Sequence, residues 1–171
     1  IYRCNSCSHC QTESDINFQE YYAHDYKTLM HTLEEDDVYK IINGKIIYRA
    51  EHMGRIFVDK IGKFRSPSGI NGLRLLDFGT GKGLFPKTLT KIIPSLSPFL
   101  FDVSEDYVSS WKSFCGPSNF SCFTTPEIWN CSFDVITSMF SLEHVCDPVS
   151  AIKQLAELLT PNGLLYVVVP N

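Results

Sequence analysis

The sequence predicts an α/β fold, a mostly parallel sheet covered by helices, carrying an N-terminal helical and cysteine-knuckle extension. Three observations predict it. From about residue 72 onward, short apolar runs alternate with helical patterns, the rhythm of strand–helix units joined by right-handed crossovers. Those runs are apolar throughout rather than alternating, which suits strands buried on both faces. The chain has 171 residues, 44% apolar and 20% charged, enough for one domain with a real core.

The elements follow in order. Residues 1–15 form a polar knuckle around "CNSCSHC". Residues 16–44 hold "YYAHDYKTLMHTLEEDDVYKIING" and read as short helices. Ile47, Met53, Ile56, Phe57, Ile61 and Phe64 recur at helical spacing, which predicts a helix over about 46–63. "RSPSGING" is a linker punctuated by Pro and Gly. The chain therefore divides into residues 1–15, 16–70 and 71–171.

In the last part "LRLLDF" is a buried strand. "LFPKTLTKII" is a helix, with Pro86 tolerated in its first turn. "SPFLFDV" is the second strand. "SEDYVSSWKSF" is a helix with Ser104 as its N-cap. "NFSCFT" and "FDVITSMF" are the third and fourth strands. "DPVSAIKQLAELLTPNG" is a helix capped by Asp147-Pro148 and stopped by Pro-Asn-Gly, and "LLYVVVPN" is the fifth strand.

Composition narrows the function classes. The net charge is −4, with no long basic run, which disfavours nucleic acid as a partner. No apolar stretch reaches the roughly 18–20 residues of a membrane span. Seven cysteines is an odd number; Cys115, Cys122, Cys131 and Cys146 are scattered and read as small buried hydrophobes, so reduced thiols and a cytoplasmic address are expected.

"LLDFGTGKG" carries the chemistry. Asp77 is followed by Gly79, Gly81 and Gly83, on a turn between a strand and a helix at the carboxyl edge of the sheet, where such folds bind ligands. Glycines let a ligand approach without meeting a Cβ. A dinucleotide loop reads G-x-G-x-x-G, and a phosphate would face Asp77 badly. A P-loop fails because Lys82 lies inside the loop. The second strand ends in Asp102, an acidic residue suited to ribose hydroxyls. The ligand reads as a nucleoside with a cationic, non-phosphate tail.

"LRLLDFGTGKG", "FDVSED", "FDVITSMFSLEHVCDP" and "LLTPNGLLYVVVPN", in this order over about residues 72–171, resemble the successive motifs of class I S-adenosylmethionine-dependent methyltransferases. The resemblance implies a Rossmann-like fold of seven strands. Five are seen here, so the part from 71 onward is expected to be truncated before strands six and seven. It implies S-adenosylmethionine as cofactor and a small or medium acceptor, sugar-like by the resemblance to members with a zinc-ribbon extension. Asp77, Gly79, Thr80, Gly81 and Gly83 would hold the methionine part. Asp102 would hold the ribose, and Val103 and Ser104 would border the adenine, with Thr124 or Thr125 near its edge. Ser138, Met139 and Phe140 would line the reactive end.

His144 is suited to act as a base near neutral pH, and Glu143 to orient it or to bind a substrate hydroxyl. Tyr21, Tyr22 and Tyr26 are candidates to close over the site. The segment "IYRCNSCSHCQTESDINFQEYYAHDYK" resembles the second knuckle of a small zinc ribbon. It implies Cys4 and Cys7 as half of a structural zinc site, with Cys10 or His9 adding a ligand; free thiols are the alternative. Two other functions stand beside methyl transfer: a non-catalytic S-adenosylmethionine-binding module and a dinucleotide-dependent oxidoreductase.

Overall fold

Parallel strands carry the molecule. The computed structural model describes residues 2–8, 10, 11, 17, 20–25, 32–64 and 71–170. The principal sheet has five strands: β5 (Arg74–Phe78), β6 (Ser97–Asp102), β7 (Phe120–Cys122), β8 (Phe133–Met139) and β9 (Leu159–Val168). Its spatial order is β7-β6-β5-β8-β9, and every neighbouring pair is parallel. The chain moves outward from β5 to β7 and then returns to place β8 against β5. That reversal opens a crevice at the carboxyl ends of β5 and β8.

The helices are α1 (Arg49–Phe64), α2 (Leu84–Ile92), the single turn α3 (Val108–Trp111) and α4 (Pro148–Leu158). Side chains along a strand alternate between faces, and β5 divides accordingly. Leu75 joins Phe57 and Ile61 of α1 and Phe85 and Leu89 of α2 on one face. Leu76 and Phe78 join Ala151, Leu155 and Leu158 of α4 on the other. Asp77 shares the parity of Leu75 and so faces α1 and α2. Phe57 is completely buried and meets Phe85 and Tyr166 edge-on, with centroids 5.8 and 5.4 Å away, an arrangement aromatic quadrupoles favour.

Two hairpins precede this layer. A small one pairs β1 (Tyr2–Arg3) with β2 (Cys10–Gln11). The second pairs β3 (Val38–Ile42) with β4 (Lys45–Tyr48). It corrects the helix expected from 46 and the short helices expected through 44. Asn43 and Gly44 have φ of 50° and 78°, the pair of left-handed residues that a tight hairpin turn requires. α1 starts only at Arg49. Tyr21–Asp25 forms one wide helical turn.

Three further boundaries differ from the expectation. The segment after Ser104 is helical only over Val108–Trp111; the Ser104 hydroxyl accepts from Asp106 N–H at 3.2 Å, closing a turn rather than capping a helix. α4 stops at Leu158, before Pro-Asn-Gly, because Leu159 already pairs with Phe133 in the sheet. The residues up to Gly163 bulge out of the ladder, with Asn162 at φ 67°, before Leu164 resumes pairing at Val135. Among the scattered cysteines Cys115 is buried, whereas Cys131 and Cys146 are exposed. The Asp147 cap is observed: its carboxylate accepts from Ser150 N–H at 3.0 Å, with Pro148 next in the first turn.

Candidate functional site

At the crevice lies a cavity of about 870 Å³. The glycine loop forms its floor. Gly79, Gly81 and Gly83 all have positive φ, of 74°, 51° and 73°, but they serve different ends. A Cβ on Gly79 would lie 1.9 Å from Ser141 Oγ, and one on Gly83 would lie 2.9 Å from the Trp111 ring. These two glycines let chain segments pack. Gly81 lines the cavity, and a Cβ on it would meet nothing within 4 Å. Gly81 is therefore the point at which a ligand can touch backbone.

The loop is held from below. Gly79 and Thr80 N–H both donate to Phe101 O, at 2.9 and 3.0 Å. Trp111 Nε1 donates to Gly81 O at 2.8 Å. Asp102, at the end of β6, accepts from Gly81 N–H at 2.8 Å and from Ser104 N–H at 3.1 Å. Burial raises its carboxyl above the usual range despite these donors.

Asp77 is 2% exposed. Its two oxygens accept from Thr137 Oγ1 at 2.6 Å and from Thr80 Oγ1 at 2.7 Å. Desolvation pushes its carboxyl up to about 6, the hydroxyl donors working against that and the Asp102 charge adding to it. Burying a carboxylate is costly; it is tolerated where a ligand's positive charge can offset the cost.

Met139 and Phe140 line the cavity, as do Val103, Ser104, Thr124 and Thr125. Phe140 stands at φ 56°, a left-handed conformation that costs a bulky residue free energy and concentrates at functional edges. Its N–H donates to Val168 O at 2.8 Å. Ser138 lies one residue deeper. It is fully buried, outside the cavity lining, and its hydroxyl has no hydrogen-bond partner among the described residues. His144 lines the cavity from a short turn, Leu142–His144. Glu143, in the same turn, is exposed and outside the lining.

Sequence reasoning missed one wall. Arg49, at the start of α1, holds its guanidinium 4.1 Å over the Phe140 ring and pairs with Asp37 at 3.2 Å. Asp36 accepts from Ala50 N–H at 3.0 Å. Lys82, nearly buried, donates to Thr32 O at 2.5 Å. Gln154 reaches Thr125 Oγ1 at 3.0 Å. The signal that was available is Asn43-Gly44: once read as a hairpin, it places Arg49 at a helix start.

Cys4 and Cys7 are both exposed thiols in the turn between β1 and β2, where Ser8 N–H donates to Cys4 O at 2.9 Å. Hydrogen bonds from the Cys7 and Ser6 backbone lower the Cys4 thiol below its usual value. The described residues contain no group of three or more metal-ligating side chains. The Cys10 side chain, His9 and Tyr26 lie outside the described residues. No helix among them is long and apolar enough to cross a membrane.

A five-stranded parallel sheet with a glycine loop and a terminal acidic residue at its switch point defines the Rossmann-like class. Within it, residues 49–171 match the family described as methyltransferase domain, and the chain belongs to that family. It is 31% identical over 111 residues to a ubiquinone biosynthesis O-methyltransferase of Rhodopseudomonas palustris, covering 63% of this chain and 44% of the relative. It is 24% identical over 153 residues to the protein of that name from Neisseria meningitidis, covering 77% and 63%. The chain thus spans less than two thirds of these relatives' length. Among solved structures, the plantazolicin methyltransferase BpumL aligns with a TM-score of 0.60 at 19% identity, covering 71% of this chain and 47% of that one. The amino pentose methyltransferase CalS10 of Micromonospora echinaspora aligns with a TM-score of 0.59 at 17% identity, covering 71% and 51%. These two likenesses show the fold.

Proposed function

We propose that the protein transfers a methyl group from S-adenosylmethionine to a hydroxyl of a small or medium, sugar-like acceptor. One observation carries it. A cavity large enough for a nucleoside cofactor opens where Gly81 leaves room for a ligand, directly beside the Asp102 carboxylate. When bound, the cofactor would supply a methyl group activated on a sulfonium sulfur.

The chain's own residues would do the rest. Asp102 would accept from ribose hydroxyls with the lone pairs that Gly81 and Ser104 leave over. Val103 and Ser104 would border the adenine. Asp77 and the loop through Gly79, Thr80, Gly81 and Gly83 would hold the methionine end, Asp77 setting a negative field for its ammonium group. Met139 and Phe140 would line the reactive end, with Ser138 supporting them from below. His144 would take the acceptor's proton, with exposed Glu143 as the group that orients it or meets an acceptor hydroxyl. Much of the acceleration would come from positioning.

The name of the curated relatives supports an oxygen acceptor, and the cytoplasm is the compartment we propose. Cys4 and Cys7 would give two thiolates to a structural zinc ion, whose other ligands would come from outside the described residues.

The test is titration with S-adenosylmethionine and with NAD, followed by transfer of labelled methyl to a panel of sugars and phenols. Binding of the first alone, then labelled product, is expected. NAD binding alone would replace the reading with an oxidoreductase. Cofactor binding without transfer to any acceptor would leave a binding module.

A further inference from the structure

Seven of the eleven residues from 38 to 48, the β3–β4 hairpin, are Val, Ile or Tyr. All of these except Ile47 are exposed, Ile41 to 63%. A contiguous exposed apolar patch marks an interaction site. Residues paired across two strands share a face. The register pairs Val38 with Tyr48, Lys40 with Ile47, Ile41 with Ile46 and Ile42 with Lys45. One face therefore carries Val38, Ile41, Ile46 and Tyr48. The other mixes Ile42 and Ile47 with Lys40 and Lys45. Tyr39, at the bulge in β3, stacks on His52 of α1 with centroids 3.6 Å apart and planes at 12°. That contact ties the base of the hairpin to the body, while residues 41–46 at its tip are all exposed. The hairpin holds two lysines and no acidic residue, on a chain whose net charge is −4. Among the described residues neither lysine is in an ion pair.

We propose that the β3–β4 hairpin docks the protein on an anionic lipid surface, its isoleucines entering the lipid and Lys40 and Lys45 meeting the phosphates. The inference goes beyond methyl transfer and does not rest on it. Two features single out lipid. The first is that apolar side chains stand on both faces. A protein partner, burying about 800 Å² a side, packs against one face and leaves Ile41 or Ile42 in water. A lipid layer surrounds both. The second is the kind of side chain. Tyrosines sit at headgroup level. Lysines lay their stems along apolar surface and keep the ammonium group outside it, where anionic lipid attracts it. Lysines on an open strand also discourage pairing with another chain, which disfavours a second copy. The strand edges need water, so the backbone would stay at headgroup depth and only side chains would go deeper. Asp36 and Asp37 precede the hairpin, Arg49 follows it, and all three line the cavity. Docking would thus bring lipid to the cavity's rim.

The test is sedimentation of the 171-residue chain with vesicles, without cofactor or acceptor. One set is equal parts phosphatidylglycerol and phosphatidylcholine; the other is phosphatidylcholine alone. The wild type should sediment with the mixed vesicles and bind the neutral ones far more weakly. Lys40→Gln/Lys45→Gln should bind the mixed vesicles about 30-fold more weakly. Ile41→Thr/Ile46→Thr keeps β-branching and should lose at least about tenfold. Ile128→Thr changes an isoleucine that is 85% exposed elsewhere and should bind like the wild type. Unchanged melting would show that the variants fold. No binding to mixed vesicles would overturn the proposal. So would equal binding to both vesicle types, or undiminished binding by both hairpin variants. A dimer in sedimentation velocity that Ile41→Thr/Ile46→Thr abolishes would give the hairpin to a second copy and overturn it as well. Calorimetric titration of the same samples with S-adenosylhomocysteine follows the cofactor reading separately, so the two can fail independently.

Discussion

The floor and the far wall of the cavity are built in opposite ways. On the floor, Asp77, Asp102 and the glycine loop are tied by bonds within the sheet edge, all through buried or part-buried groups. On the wall, Tyr22, Asp37 and Arg49 reach their partners at exposed positions, and the Tyr22–His144 and Arg49–Phe140 contacts join residues far apart in sequence. Burial strengthens polar contacts and makes them hard to alter; exposure leaves them cheap. The floor can therefore serve one shared cofactor, while the wall can vary with the acceptor.

Breaking the floor should cost most. Gly79→Ala puts a methyl group into Ser141, and the backbone cannot retreat, because Gly79 and Thr80 N–H are both held by Phe101 O. We expect a loss of about 3–4 kcal/mol in denaturant unfolding. A loss below about 1 kcal/mol would mean that Ser141 yields freely.

Asp77 sharpens the comparison through pH. Its folded-state value of about 6 lies above the unfolded value of about 4. The folded protein therefore holds the extra proton between them. The stability from this group is full below about pH 4 and is lost as pH rises through about 6, by on the order of 2–3 kcal/mol. Asp77→Asn should remove this part of the pH dependence when unfolding is followed at pH 4.5 and 7.5. A ligand bearing an ammonium group needs the ionised form, so S-adenosylmethionine should bind more weakly below pH 6 in the wild type, and Asp77→Asn should abolish that trend.

Asp102→Ala strands Gly81 and Ser104 N–H as well as removing the proposed ribose contact. An unpaired buried group costs about 1–3 kcal/mol, so cofactor affinity should fall by roughly 10- to 100-fold in calorimetry. On the wall, Arg49→Met removes an exposed ion pair and a cation–π contact. Its stability effect should stay under about 1 kcal/mol, with any larger change appearing in acceptor KM.

The same contrast explains what was legible in the sequence. The floor is local: strand, glycine loop, helix, then an acidic strand end about 25 residues on, and four ordered motifs fix it. Gly81 and Asp102 were visible for that reason. The wall depends on juxtapositions that no spacing records. Arg49 was hidden because Ile47 falls in helical register with Met53 and the apolar residues after it, which conceals the Asn43-Gly44 turn. Ser138 and Met139 are neighbours on one strand, so pleating sends them to opposite sides, and only the registered sheet shows which one faces the cavity. Tyr22 was visible as a candidate cover, but its tie to His144 was not.

The most direct test is the affinity of Gly81→Ala for S-adenosylmethionine by calorimetry, read beside its melting temperature. The added methyl group meets nothing in the protein, so the strain of a left-handed alanine is all it costs the fold, about 1 kcal/mol. If Gly81 is the seat of the cofactor, binding should fall at least about tenfold while the protein still melts cooperatively. Undiminished binding would show that the glycine loop is only a turn and that the ligand sits elsewhere.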